Sequence, residues 1–232
     1  ISACLVGSEM CIRDRSNAGT TWSTFADGIN PQRAATVTGL LNGTEYVFRI
    51  AATNVAGTGA FSSPSGGTTP RTAPSAPTIN SIATDNSQLS VNFTAGDAGG
   101  TVIDTYQYST DGGVTWRARS LGTTASPIVI TTLSNDGTSS LTNGTTYAVR
   151  IRAVNAAGPG SASATTTATP LTLPSVPLSL SVTPASTSIV VSWVAPASNG
   201  GANITDYMVQ YSSDSGGSWT TFIDGTSSLT SA

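Results

Sequence analysis

Two short segments combine the residue types that could take part in chemistry. Ser109–Trp116 has the sequence Ser-Thr-Asp-Gly-Gly-Val-Thr-Trp, and Ser212–Trp219 has the related sequence Ser-Ser-Asp-Ser-Gly-Gly-Ser-Trp. Each places one carboxylate, Asp111 or Asp214, between hydroxyl side chains and ahead of a tryptophan. Such a carboxylate can act in glycoside hydrolysis or accept hydrogen bonds in a turn. An exposed indole can stack on a sugar ring, and Trp22 ends a similar hairpin segment.

Both segments resemble the Asp box of sialidase-type propellers. That resemblance would imply a glycosidase, which needs a pair of carboxylates or, in sialidases, a tyrosine nucleophile with an arginine cluster. The alternative is a hairpin staple, in which Asp111 and Asp214 accept bonds from turn amides and Trp116 and Trp219 pack across their hairpins. Because the motif recurs after about 100 residues rather than the ~40 to 50 of a propeller blade, we interpret it as a staple. Trp22, Trp116 and Trp219 are also candidates for a ligand-facing role.

Other kinds of catalytic or metal site lack their usual residues. The chain has no histidine and no lysine, so no ordinary side-chain base can activate its many serines and threonines. Its two cysteines, Cys4 and Cys11, both lie near the start. Calcium could be considered at Asp97, Asp111 or Asp136, but their spacing is not that of a calcium loop. We therefore predict no enzyme activity, no metal and no cofactor.

The composition excludes several classes of partner. Of the 232 residues, 38% are hydrophobic and only 9% are charged, with 24 glycines, 12 prolines and a net charge of −3. The nine arginines are spread along the chain, so no basic stripe exists to bind nucleic acid. No apolar run approaches the ~18 residues of a membrane helix, which predicts no membrane insertion within this chain.

Residues 1–15 differ from everything after them. They contain both cysteines, and Leu5–Asp14 can be back-translated as CTC GTG GGC TCG GAG ATG TGT ATA AGA GAC. That string resembles the transposon-end adaptor ligated to DNA fragments in sequencing libraries. The alternative is a short native strand with a Cys4–Cys11 disulfide. We interpret residues 1–15 as a translated adaptor and set them aside before considering the fold.

The remaining chain repeats itself with a period of about 100 residues. Pro74-Ser-Ala-Pro returns as Pro174-Ser-Val-Pro, and Asn42-Gly-Thr-Glu-Tyr46 returns as Asn143-Gly-Thr-Thr-Tyr147. Proline-bearing segments separate the copies and predict short, semi-rigid linkers. The expected domains are the later part of one repeat (16–71), one whole repeat (72–170) and the earlier part of a third (171–232).

Within the whole repeat, β-branched and aromatic residues alternate with polar ones, which is the pattern of β-strands rather than helices. The predicted strands are Thr78–Ala83, Gln88–Thr94, Ile103–Thr110, Val114–Leu121, Ile128–Leu133, Thr145–Asn155 and Ser161–Thr169. Seven short strands in about 100 residues predict an all-β chain of tandem immunoglobulin-like β-sandwiches, one complete and two truncated.

At these residues the chain resembles the fibronectin type III family, specifically its low-lysine bacterial extracellular branch. The resemblance depends on a second-strand aromatic (Phe93, Trp193), on a leucine six residues before a tyrosine, and on an Asn-x-x-Gly motif after that tyrosine. The leucine and tyrosine pairs are Leu40 with Tyr46 and Leu141 with Tyr147. In the family this tyrosine forms a corner, with its hydroxyl bonded back to the turn and its ring in the core.

The resemblance implies a non-catalytic role outside the cell. We expect spacer and adhesion modules of a multi-repeat bacterial surface or secreted protein, with polysaccharides or other surface proteins as partners. Accessory modules of a secreted polysaccharide-degrading enzyme, or a carbohydrate-binding module, are the alternatives. The loops Ala95–Thr101 and Asn155–Gly160, at one end of the sandwich, are where recognition residues would be displayed.

Overall fold

The computed structural model describes residues 34–119, 122–223 and 225, and every regular element in those ranges is a β-strand. In chain order the strands are β1 Thr53–Asn54, β2 Gly57–Thr58, β3 Thr78–Asp85, β4 Gln88–Thr94, β5 Ile103–Ser109, β6 Arg117–Ala118, β7 Ile128–Ile130, β8 Tyr147–Asn155, β9 Gly158–Pro159, β10 Thr166–Ala168, β11 Leu178–Ala185, β12 Ser188–Val194, β13 Val209–Tyr211 and β14 Thr220–Phe222. Residues 1–15 and the predicted hairpin at Trp22 lie outside the described ranges.

Backbone contacts divide the chain into two compact units. The first unit comprises Ile1–Pro77, Ala95–Tyr106 and Arg152–Ala162. In its described part β1 pairs antiparallel with β2, and Tyr46 forms an isolated bridge with Thr68. Tyr46 and Ala51 are buried, as is Thr53 in β1. The ends of β8 and β9 form a short hairpin within the same unit.

The second unit comprises Thr78–Thr94, Gln107–Ile151 and Ser163–Ala232. It contains an antiparallel sheet in the order β3-β4-β7. In β4 every second side chain is buried: Leu89 and Val91 are fully covered, and Phe93 is nearly so. Ile128 and Ile130 of β7 are also fully buried, and Ile130 lies directly opposite Leu89. The period of two therefore gives this sheet one apolar face, which lies in the core.

The second sheet of the whole repeat has the strand order β10-β8-β5-β6. Strand β8 alternates strictly, and its inward residues Tyr147, Val149 and Ile151 are buried while the residues between them are partly exposed. Two antiparallel sheets that each bury one face form a sandwich around a shared core. The fold class predicted from the sequence is therefore confirmed as all-β.

The described strands of the third repeat are paired but remain open to solvent. Strand β11 pairs with β12, and β13 pairs with β14. Side chains along β11 and β14 are exposed throughout. Trp193 is buried, and its ring meets that of Tyr207 edge-on with centroids 5.2 Å apart. Its indole nitrogen has no hydrogen-bond partner among the described residues, a cost that phenylalanine avoids at the corresponding position 93.

Most predicted strands are present, but several were drawn too long: β5 ends at Ser109 rather than Thr110, β7 ends at Ile130 rather than Leu133, and β8 begins at Tyr147 rather than Thr145. The prediction for Gln88–Thr94 is confirmed to the residue. The prediction of a strand over Val114–Leu121 was wrong for its first part, because the Asp111 carboxylate binds the amide of Thr115 and keeps the chain in a turn. Strand β6 therefore begins only at Arg117, and residues 120–121 are not described.

The last predicted strand, Ser161–Thr169, is paired as a regular strand only over β10. At Ser163 the side-chain oxygen accepts the amide hydrogen of Ile151, at 3.1 Å, while the Ser163 amide donates to the Ile151 carbonyl. A side chain thus replaces one of the backbone acceptors that a regular ladder would use. The regular pairing consequently starts at Thr166.

We expect limited proteolysis to remove the third repeat before the whole repeat. Thermolysin, which cleaves ahead of aliphatic residues, suits this test because the last arginine is Arg152 and trypsin has no site beyond it. The exposed aliphatic side chains of β11 and β12 offer many sites, whereas all those of β4 and two of the three in β7 are buried. Mass spectrometry should find a resistant fragment close to residues 72–170. Resistance of residues 171–232 equal to that of 72–170 would contradict the expectation.

Candidate functional site

The hairpin between β5 and β6 encloses the Asp111 carboxylate in its own turn. Ser109 Oγ donates to Asp111 Oδ1 at 2.6 Å, and the Thr115 amide donates to both carboxylate oxygens at 3.0 and 3.1 Å. The Thr115 hydroxyl donates to the same carboxylate. Gly112 and Gly113 have φ of 77° and 101°, a region that L-residues with side chains rarely adopt. Glycine is therefore favoured where the turn reverses, although Ser215, at the position that corresponds to Gly112, adopts φ of 60° in the third repeat.

The corresponding hairpin of the third repeat has the same set of bonds. Ser212 Oγ donates to Asp214 Oδ1 at 2.7 Å, and the Ser218 amide and hydroxyl donate to the Asp214 carboxylate at 2.8 and 2.7 Å. The Gly216 amide donates to Ser212 Oγ at 2.9 Å, as the Gly113 amide donates to Ser109 Oγ at 2.8 Å. Two hairpins 103 positions apart thus use the same local network, as 214 − 111 = 103.

The tryptophans of the two hairpins differ in exposure. Trp116 is half-buried, and its indole N–H donates to the carbonyl of Gly113 at 3.0 Å, so its polar edge is used inside the turn. Trp219 is 62% exposed. Because Tyr211 and Phe222 on the adjoining strands are also about half exposed, the exposure of Trp219 does not mark it out from its neighbours. Trp22, the third candidate, lies outside the described residues.

Hydrogen bonding keeps these carboxylates ionised. Partial burial raises the pKa of Asp111, but the bonds from Ser109, Thr115 and the Val114 amide outweigh it and lower the pKa from 3.8 to about 2. Bonds from Ser218 and Ser212 likewise lower the pKa of Asp214. A glycosidase acid must hold its proton near neutral pH, which requires a raised pKa. The arrangement therefore suits a hydrogen-bond acceptor and not a general acid.

We expect Asp111→Ala to lower the unfolding free energy of the whole repeat by about 1 kcal/mol, the value of a solvent-exposed hydrogen-bonded turn. Since the folded pKa lies below the unfolded value, the contribution of Asp111 is present above pH 3.8 and is lost as the pH falls through about 2. Amide hydrogen exchange of β4 and β8, measured at neutral pH and in acid, checks both statements.

Asp104→Ala is the matched control for this substitution, since Asp104 is an exposed residue of β5 in the same repeat. It should leave the exchange rates unchanged. Equal stability of Asp111→Ala and the parent chain, or hydrolysis of a glycoside that Asp111→Ala abolishes, would contradict the interpretation of the motif as a staple.

The tyrosine corner has the same geometry in two repeats. The Thr142 amide donates to the Tyr147 hydroxyl oxygen at 2.9 Å, and the Leu41 amide donates to the Tyr46 hydroxyl oxygen at 3.0 Å. Both tyrosine rings are buried, and Leu141 is 2% exposed. The turn therefore supplies the donor of the corner hydrogen bond, and the tyrosine hydroxyl oxygen is the acceptor.

We expect Tyr147→Phe to lower the unfolding free energy of the whole repeat by roughly 1 to 2 kcal/mol, because the Thr142 amide then lies partly buried without its acceptor. Chemical denaturation followed by hydrogen exchange in β8 measures the loss. Tyr211→Phe is the control, since Tyr211 is 57% exposed. Identical denaturation midpoints for Tyr147→Phe and the parent chain would argue against a stabilising corner.

The two loops predicted to display recognition residues, Ala95–Thr101 and Asn155–Gly160, form hydrogen bonds within the chain. The Asn155 side-chain amide donates to the carbonyls of Thr72 and Ala98, at 2.8 and 2.7 Å, and its oxygen accepts the Ala157 amide at 2.8 Å. The Ser161 amide donates to Pro74 just beyond this loop. Sequence reasoning noted the Asn-x-x-Gly pattern but missed this role, because Thr72 lies 83 residues away. These loops connect the repeat to its linker.

The described residues contain no group of three or more His, Cys, Asp or Glu side chains that could hold a metal ion. Asp97, considered for calcium, accepts the amide of Gly99, and Asp136 accepts the amides of Thr138 and Ser139. Their oxygens thus serve separate turns. Within the part of the chain that the structure describes, no helix is long and apolar enough to cross a membrane.

The chain is similar in part to known proteins. One of them is the crystal structure of the chicken CNTN1 FN1–FN3 domains, with 22% identity, a TM-score of 0.35 and coverage of 97% of this chain and 77% of that one. The family model for the fibronectin type III domain matches residues 12–68. The residues that the structure describes are all-β, and residues 12–68 match the fibronectin type III domain, the family that the sequence resembles.

Proposed function

We propose that the chain is a non-catalytic spacer and adhesion segment of a multi-repeat bacterial surface or secreted protein. The observation that carries this proposal is the use of the Asp box inside its own hairpin, in two copies. The carboxylates of Asp111 and Asp214, which are the side chains best suited to catalysis, thus form hydrogen bonds that stabilise their own turns. A repeat whose polar groups stabilise its own turns can be added many times without adding an activity.

The composition supports a location outside the cell. After residue 15 the chain has no cysteine, histidine or lysine, and it is rich in threonine, serine, glycine and alanine. Such sequences suit extracellular arrays in which each repeat has a small core of its own. The partners proposed for the adhesive role are polysaccharides or other surface proteins.

A binding experiment separates the spacer from a carbohydrate-binding module. The full chain, Trp219→Ala and Trp116→Ala are applied to a glycan array and to insoluble polysaccharides. A spacer and adhesion segment gives either no retention or retention that is the same for all three proteins. Retention of the parent chain that Trp219→Ala abolishes would overturn the spacer role and favour sugar stacking on the exposed indole.

The flanking sequence separates the spacer from an accessory module of an enzyme. Overlapping DNA that extends the reading frame on both sides shows what the repeats connect. Further repeats with a surface anchor support the proposal. A polysaccharide-degrading domain next to the array would replace the spacer role with that of an enzyme accessory module.

A further inference from the structure

The turn before each corner tyrosine touches a glycine pair of the following repeat. In each glycine pair the second member meets the Asn-Gly turn: Gly100 meets Asn42-Gly43, and Gly201 meets Asn143-Gly144. The first member lies against the linker, Gly99 near Thr72 and Gly200 near Thr172. We call each pair of turns a glycine joint. The first joint lies within the first compact unit and the second within the second unit.

Backbones approach so closely at both joints that a side chain has no room. A Cβ added to Gly100 would lie 2.3 Å from the Gly43 nitrogen, and one added to Gly201 would lie 2.4 Å from the Gly144 nitrogen. All four of these glycines have φ between 81° and 93°, in the left-handed region. Backbone geometry therefore favours glycine at all four positions, and contact excludes a side chain at Gly100 and Gly201.

The linker inside each joint is hydrogen-bonded at both of its ends. Gly43 donates its amide to the Pro70 carbonyl at 3.0 Å, and Thr72 donates its amide to the Gly99 carbonyl at 2.9 Å. In the second joint, Gly144 donates to Pro170 at 2.9 Å, and Thr172 donates to Gly200 at 2.8 Å. The three-residue linkers 70–72 and 170–172 are thus attached to the repeat before them and to the repeat after them.

A linker stiffened only by its prolines, as the sequence suggested, would need none of these contacts. The same close approach and the same two hydrogen bonds occur in both joints, whose equivalent residues lie 100 or 101 positions apart. Four backbone groups paired in this way would otherwise have to be solvated, and their pairing opposes rotation about the linker.

We propose that the glycine joint is an interface by which one repeat docks on the next and which fixes their mutual orientation. The partner of each Asn-Gly turn is the glycine pair of another copy of the same repeat. This proposal goes beyond the spacer role and does not depend on it, since an enzyme accessory array would use the joint in the same way.

Distances between spin labels test the first joint in the full chain. Cys4 and Cys11 are replaced by serine, and labels are attached through Ser63→Cys and Ala156→Cys, two exposed positions on either side of the joint. Double electron–electron resonance then gives the distribution of label distances. We expect one narrow distribution in the parent chain and at least a twofold greater width in Gly100→Ala.

Gly39→Ala is the matched control, because Gly39 has φ of 77° but nothing within 4 Å of an added Cβ. It shares the backbone strain and should keep the narrow distribution. Gly43→Ala tests the same contact from the preceding repeat, since its Cβ would lie 3.2 Å from the Gly100 Cα. It should broaden the distribution of label distances, and it keeps the test possible if Gly100→Ala fails to fold. A broad distribution in the parent chain, or equal widths in Gly43→Ala and Gly39→Ala, would overturn the proposal.

Discussion

Ile130→Ala should lower the unfolding free energy of the whole repeat by about 3 kcal/mol. Ile130 is fully buried and lies opposite Leu89, which is also fully buried, so the truncation removes apolar contacts and leaves a cavity between the sheets. A loss of this size is a large part of the stability of a small domain. Amide hydrogen exchange of β4 in the full chain measures it directly.

The neighbouring residue provides the control. Val129 belongs to the same strand but points outward and is 42% exposed. Val129→Ala should change the free energy by no more than about 0.5 kcal/mol. If both substitutions had the same effect, the register of β7 against β4 would be wrong by one residue, since a slip of one reverses every side chain.

Asn155→Ala should lower the unfolding free energy of the same repeat by about 2 kcal/mol. Asn155 is 3% exposed, and its loss leaves the Thr72 and Ala98 carbonyls without a donor and the Ala157 amide without an acceptor. The side chain is small, so lost hydrogen bonds rather than lost packing account for the effect. Asn155→Asp should also be destabilising, because its carboxylate would face two carbonyl oxygens.

Asn54 occupies the corresponding position of the first repeat and makes a good comparison. It is exposed, and the bond given by the structure is from the Ala56 amide to its side-chain oxygen, at 2.8 Å. Asn54→Ala should therefore cost only about 0.5 kcal/mol. Equal losses for the two asparagines, measured by hydrogen exchange in each repeat, would show that the bonds to the linker add no stability.

The sequence predicted the core strands well because their pattern is local. Leu89, Val91 and Phe93 alternate with polar residues over seven positions, and only an extended strand with one buried face accommodates that spacing. The resemblance to the family placed Tyr147 in the core, and it is buried, as is Leu141 six residues before it. Strand ends were less predictable, because side-chain oxygens such as those of Asp111 and Ser163 accept backbone amide hydrogens that a regular strand would donate to its neighbour.

Contacts between distant residues could not be read from such patterns. Asn155 was noted as part of a motif, yet its partners Thr72 and Ala98 are 83 and 57 residues away. The glycines of the joints had a sufficient local explanation as turn residues. Gly100 also lies against the backbone of Gly43, and only the three-dimensional structure shows this contact.

The glycine joint has a consequence for how such a gene can lengthen. Each copy contributes an Asn-Gly turn to the joint that follows it and a glycine pair to the joint that precedes it. A tandem duplication of one whole period therefore creates one additional complete joint, wherever its breakpoints fall within the unit. Inserting or deleting a single codon between Pro170 and Thr172 would instead separate the two hydrogen bonds that attach the linker. Recombination between copies can thus change the number of repeats freely, while the spacing within each linker is held fixed.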